Sequence, residues 1–146
     1  MNSDVHAALL AALKILKRQD LTIQEVAHRL ESNFEPTVIC EALEFLQTKR
    51  ILDDVRLARL AIERNEGRRA VGDEALRAKL ESRGVPPEVV AELFAEADLD
   101  ELSRALVLVD AKFSGSQNPG RVARFLASRG FSEETIESIL DRIGMA

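Results

Sequence analysis

Hydrophobic residues recur every three or four positions along this chain, and no stretch alternates with period two. In the first such segment, apolar side chains fall at Val5, Leu9, Leu13 and Leu16. This spacing places them on one face of a helix, whereas a strand would need alternation. Nine segments of this kind follow one another in three groups of three. The pattern therefore predicts an all-α protein.

The second and third segments of each group carry an internal repeat. RLESNFEPTVICEALEFL (29–46) returns as KLESRGVPPEVVAELFAE (79–96) and as FLASRGFSEETIESILDRI (125–143). Its anchor residues are Asn33, Gly84 and Gly130, and we expect each to end a helix in the left-handed conformation. A fixed period of this length is typical of units that stack on their neighbours. We therefore predict three tandem three-helix repeats, at residues 1–50, 51–97 and 98–146, in an elongated array.

Capping residues predict where several helices begin. Thr22 and Glu25 have the spacing of a capping box. Asp98 and Glu101 form a second capping pair, and Asn118 precedes another helix. Asp53 and Asp54 put negative charge at the start of a helix that we expect to run through about Glu66, where it favours the positive end of the helix dipole.

Small and aromatic residues are expected to pack inside the repeats. Ala8, Ala58 and Ala105 occupy equivalent positions, where a small side chain lets helices approach closely. Cys40 is the single cysteine, so no internal disulfide can form. We expect Cys40 to be a small buried residue and Phe45 to be part of a buried stripe.

Composition narrows the class of protein. Apolar residues make up 46% of the chain and charged residues 31%, which is typical of a folded, soluble, helix-rich protein. Aromatic residues make up only 4%, which is few for a protein that stacks on bases. The first residues do not resemble a signal peptide, and no apolar run approaches the ~20 residues of a membrane span. We expect a cytoplasmic monomer that does not contact membranes.

The net charge of −5 is unevenly distributed. Residues 49–83 carry ten basic and seven acidic side chains, whereas residues 84–103 carry six acidic and no basic ones. Within the basic segment, a loop between Gly67 and Gly72 is expected to contact an acidic or phosphate-bearing partner. A solvated polar face is the alternative. The candidate partner-binding residues are Arg56, Arg59, Arg64, Arg68, Arg69 and Arg77.

No group of residues has the pattern of an active site. The side chains of Asp53 and Asp54 point about 100° apart on a helix, so they cannot easily flank one substrate atom. His6 and His28 have no acidic partner at a metal-like offset, and the glycines do not form a phosphate-binding motif. We therefore predict no catalytic, cofactor-binding or metal-binding residues, no cofactor and no small-molecule substrate.

The segment ILDDVRLARLAIER (51–64) resembles the signature of the RecX family, which regulates the RecA recombinase. The family pattern is aromatic-Leu-Asp-Asp-Glu-Arg-Phe-Ala, and the matching residues are Leu52, Asp53, Asp54, Arg56 and Ala58. The residues that depart from it are Ile51, Val55 and Leu57. ALRAKLESRGV (75–85) and RVARFLASRGF (121–131) are similar to two further elements of the family, so the resemblance covers nearly the whole chain.

The resemblance implies a curved helical protein that lies in the groove of the RecA filament on single-stranded DNA. There it would restrain strand exchange, ATP turnover and co-protease activity without an active site of its own. Two other binding functions stay open from the residues alone. One is a general protein-interaction adaptor built from ubiquitin-associated-like bundles, and the other is a direct single-stranded nucleic-acid binder.

Overall fold

The computed structural model describes residues 2–97, 99–113 and 118–144, and these ranges contain nine α-helices and no strand. The helices are α1 (Ser3–Leu16), α2 (Ile23–Leu30), α3 (Pro36–Thr48), α4 (Asp54–Glu63), α5 (Asp73–Ser82), α6 (Pro87–Glu96), α7 (Glu101–Phe113), α8 (Pro119–Ser128) and α9 (Glu133–Gly144). A single 3₁₀ turn, Gly67–Arg69, lies between α4 and α5. The all-α prediction is confirmed.

Three hydrophobic cores divide the helices into three bundles: the first is α1–α3, the second α4–α6 and the third α7–α9. The equivalent residues Ala8, Ala58 and Ala105 are all fully buried, as predicted. Two side chains cross between bundles, since Leu52 packs into the first core and Ala70 into the third. The repeat limits after residues 50 and 97 stay predictions.

The three bundles form an extended molecule. Its accessible surface is 9372 Å², whereas a compact protein of 16.2 kDa exposes about 7,500 Å². The excess is expected when small bundles stack in a row, because each contacts only its neighbours. None of the helices that the structure describes is long and apolar enough to span a membrane.

Most of the predicted helix starts are confirmed. Thr22 and Glu25 form the complete capping box of α2, and Asn118 accepts a hydrogen bond from a backbone amide at the start of α8. Asp53 caps α4 by accepting a hydrogen bond of 3.1 Å from the Arg56 amide. Helix α4 ends at Glu63, however, and not at Glu66 as expected, because the chain then turns through a long connection.

The predicted capping pair of α7 needs correction. Asp98 lies outside the described residues, and the side chain of Asp100 caps α7 by accepting a hydrogen bond of 3.0 Å from the Ser103 amide. The Ser103 hydroxyl also donates to Asp100, and these two hydrogen bonds lower the pKa of Asp100. Glu101 is thereby left for the different role described below.

Two of the three predicted left-handed helix ends are confirmed. Gly84 has φ 103° and Gly130 has φ 77°, and each ends its helix with hydrogen bonds back into the last turn. The prediction for Asn33 is wrong. Helix α2 has already ended at Leu30, whose carbonyl accepts from the Phe34 amide at 3.2 Å, so no left-handed residue is needed.

A left-handed residue that the sequence did not predict lies at the end of α3. Arg50 has φ 58°, the one positive φ recorded for a non-glycine residue in the described ranges. Arg56 supports it, because its guanidinium donates to the carbonyl oxygens of Arg50 at 2.9 Å and Ile51 at 3.2 Å. These contacts offset part of the cost that a side chain meets in this conformation.

Cys40 and Phe45 are exposed, so both burial predictions were wrong. The buried stripe of α3 consists of Ile39, Ala42, Leu43 and Leu46. Cys40 and Phe45 each follow or precede a buried residue by one position, which rotates their side chains about 100° away from the core. The Phe45 ring is instead covered by the Lys49 ammonium at 5.8 Å.

Candidate functional site

The first joint between bundles lies where α2 begins. The Thr22 hydroxyl donates to the carbonyl oxygen of Arg83 at 2.6 Å. The Arg83 guanidinium donates to both carboxylate oxygens of Glu25, at 3.2 and 2.9 Å. Asp54 accepts a hydrogen bond of 3.0 Å from the Ile23 amide. Side chains of the second bundle thus bind the first turn of α2.

The second joint repeats this geometry where α5 begins. The Gly72 amide donates to the carbonyl oxygen of Arg129 at 2.9 Å, and the Asp73 amide donates to Glu101 at 2.8 Å. The other oxygen of Glu101 accepts from the Ser132 amide at 3.0 Å and the Thr135 hydroxyl at 2.7 Å. Arg129 therefore corresponds to Arg83, and Glu101 to Asp54.

The pKa values of the equivalent carboxylates Asp54 and Glu101 are shifted in opposite directions. Burial raises the pKa of Asp54, and the single hydrogen bond from the Ile23 amide does not offset it. Burial also acts to raise the pKa of Glu101, but the hydrogen bonds from Asp73, Thr135 and Ser132 outweigh it and leave the pKa lower than usual. At the first joint, the bonds from Arg83 and Thr22 outweigh burial and lower the pKa of Glu25. Each joint thus relies on an ionised glutamate.

The turn Gly67–Arg69, which we call the basic turn, lies on the second joint. Arg129 donates through Nη1 to the carbonyl oxygens of Arg68 at 3.1 Å and Ala70 at 3.0 Å. Ala70 is fully buried in the core of the third bundle. The joint therefore fixes the backbone of the basic turn against α7, while the side chains of Arg68 and Arg69 are exposed.

A groove of about 750 Å³ is lined by residues of the basic turn and of α7, and we call it the basic groove. The charged residues along it are Arg64, Arg68, Arg69, Arg104 and Glu66. Arg104 is mostly buried and pairs with Asp73, so it also belongs to the second joint. The groove has an excess of guanidinium groups and can attract carboxylate or phosphate groups.

Two smaller grooves share lining residues with the basic groove, and their charges differ from each other. One, of about 380 Å³, contains Arg68, Lys112 and Arg129, and the cations of the last two lie over the ring of Phe125 at 5.5 and 5.0 Å. The other, of about 560 Å³, we call the acidic groove, because the four carboxylates of Glu63, Glu66, Glu96 and Asp100 outnumber the guanidinium groups of Arg59 and Arg104 along it. A basic surface is thus placed next to an acidic one.

The structure brings together three of the six candidate arginines, namely Arg64, Arg68 and Arg69. Arg59 lies in the neighbouring acidic groove, 3.9 Å from an exposed carboxylate oxygen of Glu96. Arg56 supports the end of α3 as described above, and the guanidinium of Arg77 lies 4.9 Å from the centre of the Phe94 ring. Partner binding by any of the six stays a prediction.

Sequence reasoning missed four residues that build or line this surface, namely Asn65, Arg104, Lys112 and Arg129. A signal for Arg129 existed, because Ser-Arg-Gly recurs at 82–84 and 128–130 and makes Arg83 and Arg129 equivalent. Arg104 and Lys112 reach the surface from α7, more than thirty residues after the basic turn, so no local pattern could indicate them.

This surface is better suited to binding a partner than to catalysis. In the described part of the chain, no group of three His, Cys, Asp or Glu side chains is arranged to hold a metal ion. The grooves are open and lined by charged side chains, which is typical of a surface for a large charged partner.

Comparisons with known proteins agree with this description. No protein-family model matches the chain. The chain is 30% identical over 143 residues to the regulatory protein RecX of Trichlorobacter lovleyi, covering 91% of this chain and 93% of the relative. It is 34% identical to RecX of Thermus thermophilus, covering 85% and 83%, and 31% identical to RecX of Prosthecochloris aestuarii, covering 97% of both. The crystal structure of RecX from Lactobacillus salivarius superposes over the full length of both chains with a TM-score of 0.80 at 19% identity, which shows the same fold.

Proposed function

The chain belongs to the RecX family of regulatory proteins, and on that premise we propose that it inhibits a RecA recombinase by lying in the groove of the RecA–DNA filament. The relatives are named as regulatory proteins and not as enzymes, which supports a protein partner. The extended shape supports it further, because a row of bundles can follow a polymer over several subunits.

The placement of the basic groove beside the acidic one carries this proposal. A filament of protein on single-stranded DNA offers both phosphate groups and charged protein side chains. Arg64, Arg68 and Arg69 can approach anionic groups, while the neighbouring carboxylates of Glu96 and Asp100 can approach basic side chains. Adjacent patches of opposite sign also fix the orientation of a bound partner, since a reversed placement would bring like charges together.

An occupant of the filament groove would act without chemistry of its own. It would compete with duplex DNA and with co-protease substrates for the same space. By contacting neighbouring recombinase subunits, it would also favour one arrangement of the filament over those that ATP turnover requires. Inhibition therefore needs only a preference in binding free energy.

Co-sedimentation with RecA filaments tests the proposal. We expect the chain to sediment with filaments assembled on single-stranded DNA and less with recombinase lacking DNA. The double variant Arg68→Glu/Arg69→Glu should bind at least about tenfold more weakly, because two cations become anions at the contact. The charge-matched control is Arg121→Glu/Arg124→Glu on α8, whose exposed side chains lie outside the basic groove.

Two results would reject the proposal. One is a wild-type chain that stays in the supernatant at every filament concentration. The other is a mobility shift of bare single-stranded DNA that decreases with salt and is as strong as binding to the filament, which would favour a direct nucleic-acid binder.

A further inference from the structure

Asn65 is a buried polar residue in the connection between α4 and α5. Its side chain is 7% exposed. The side chain makes two hydrogen bonds to Val71. Its Nδ2 donates to the Val71 carbonyl oxygen at 3.1 Å, and its Oδ1 accepts from the Val71 amide at 2.8 Å. These two hydrogen bonds close the chain across six residues, and the basic turn lies inside the closed segment.

The segment closed by Asn65 is held from the other side as well. Arg129 donates to the carbonyl oxygens of Arg68 and Ala70, and Ala70 is buried against α7. The backbone of the basic turn is therefore fixed before any partner binds. In contrast, the guanidinium groups of Arg68 and Arg69 make no ion pair or hydrogen bond with the residues that the structure describes.

We propose that Asn65 is a positioning residue that holds Arg68 and Arg69 in place for the filament. This inference rests on the proposed function. A flexible connection would have to lose backbone freedom when its arginines bind, and that loss would reduce the affinity. Because Asn65 orders the segment during folding, binding avoids part of this cost.

A structural role alone would have a different consequence. If Asn65 only stabilised the fold, its loss would lower the free energy of unfolding and would weaken binding regardless of which residues occupy positions 68 and 69. If Asn65 acts through the arginines, its effect on binding must vanish once they are gone. The two roles are therefore separable by a double-mutant cycle.

The experiment measures the affinity of four proteins for RecA filaments on fluorescent single-stranded DNA: wild type, Asn65→Ala, Arg68→Gln/Arg69→Gln, and the triple variant. Asn65→Ala should weaken binding about tenfold in the wild-type background, the effect of moving the ordering of one or two residues to the binding step. In the Arg68→Gln/Arg69→Gln background it should have no further effect. Its cost in stability should be the same in both backgrounds.

Two further variants guard against a folding defect. Asn65→Gln keeps both the donor and the acceptor on a side chain one methylene longer, so it should fold and weaken binding less than Asn65→Ala. Thr22→Val is the matched control, because it removes a buried hydrogen-bonding side chain at the first joint, outside the lining of the basic groove. It should lower stability and leave the affinity unchanged.

The outcomes separate this inference from the proposed function. An equal loss of affinity from Asn65→Ala in both backgrounds, or no loss in either, overturns the positioning role alone. A wild-type chain that does not bind the filament at all overturns the proposed function and, with it, the positioning role.

Discussion

The two joints between bundles have the same geometry but different side chains. At the first, the Thr22 hydroxyl reaches the carbonyl oxygen of Arg83, whereas at the second a backbone amide, that of Gly72, reaches the corresponding oxygen of Arg129. The two joints thus use equivalent positions of the repeat, but different atoms make the contact. The second joint brings the two backbones into direct contact, and Gly72 makes that possible.

The connections at the two joints also differ in length. Residues 17–22 link α1 to α2, whereas residues 64–72 link α4 to α5, which is three residues longer. The additional length forms the basic turn. The guanidinium of Arg129 donates to the backbone of this turn, and its carbonyl oxygen accepts from Gly72 at the joint. The second joint therefore also supports the surface that we propose contacts the filament.

Gly72→Ala is the strongest test of the close approach at the second joint. A β-carbon on Gly72 would overlap the carbonyl oxygen of Gly130, which is backbone and cannot rotate away. We expect the free energy of unfolding to fall by about 3 kcal/mol, the upper range for overpacking. Gly67→Ala is the control, because its β-carbon would point into open space and costs only the left-handed conformation, about 1 kcal/mol. Equal effects in urea unfolding would contradict the comparison.

Truncating the equivalent carboxylates should affect the second joint more than the first. Glu101 accepts hydrogen bonds from Asp73, Ser132 and Thr135, whereas Asp54 accepts one from Ile23 and is disfavoured by burial. We expect Glu101→Ala to cost about 2 kcal/mol and Asp54→Ala about 0.5 kcal/mol. Chemical denaturation of both variants measures this, and the reverse order would show that the joints were assigned wrongly.

The same two residues should give opposite pH dependences. The pKa of Asp54 is raised above its usual 3.8, so its contribution to stability is present below that value and is lost as pH rises through the folded pKa. The pKa of Glu101 is lowered below its usual 4.5, so its contribution is present above that value and is lost as pH falls through the folded pKa.

Denaturation at intervals between pH 7 and pH 3 checks these signs. Asp54→Asn should abolish the gain in the free energy of unfolding that Asp54 gives on acidification. The size of this gain also reflects the neighbouring charges of Asp53, Glu25 and Arg83. Glu101→Gln should abolish the loss on acidification. Two variants with the same pH profile would show that the hydrogen bonds at the second joint do not outweigh burial.

The sequence predicted the helices and several caps because these depend on neighbouring residues. The box of Thr22 and Glu25 and the left-handed Gly84 and Gly130 are local features, and all are confirmed. The left-handed conformation of Arg50 was not predictable from its residue type, since it depends on a guanidinium six residues later.

The candidate site was only partly predictable for a similar reason. The cluster of arginines in the second repeat indicated Arg64, Arg68 and Arg69, because they lie together on the connection between α4 and α5. Arg56 and Arg77 have other neighbours, because the faces of α4 and α5 that pack inward decide where these side chains lie. The roles of Asn65 and Arg129 depend on contacts across six and about sixty residues, which periodicity does not encode.

The rate of ATP turnover by RecA on single-stranded DNA tests the central claim most directly. The wild-type chain should slow turnover as its concentration rises, and Arg68→Glu/Arg69→Glu should require at least about tenfold more protein for the same effect. Both substitutions are exposed, so the free energy of unfolding should change by no more than about 0.5 kcal/mol. Unchanged turnover at saturating wild-type protein would contradict the proposed function, and equal inhibition by the variant would exclude the basic turn from it.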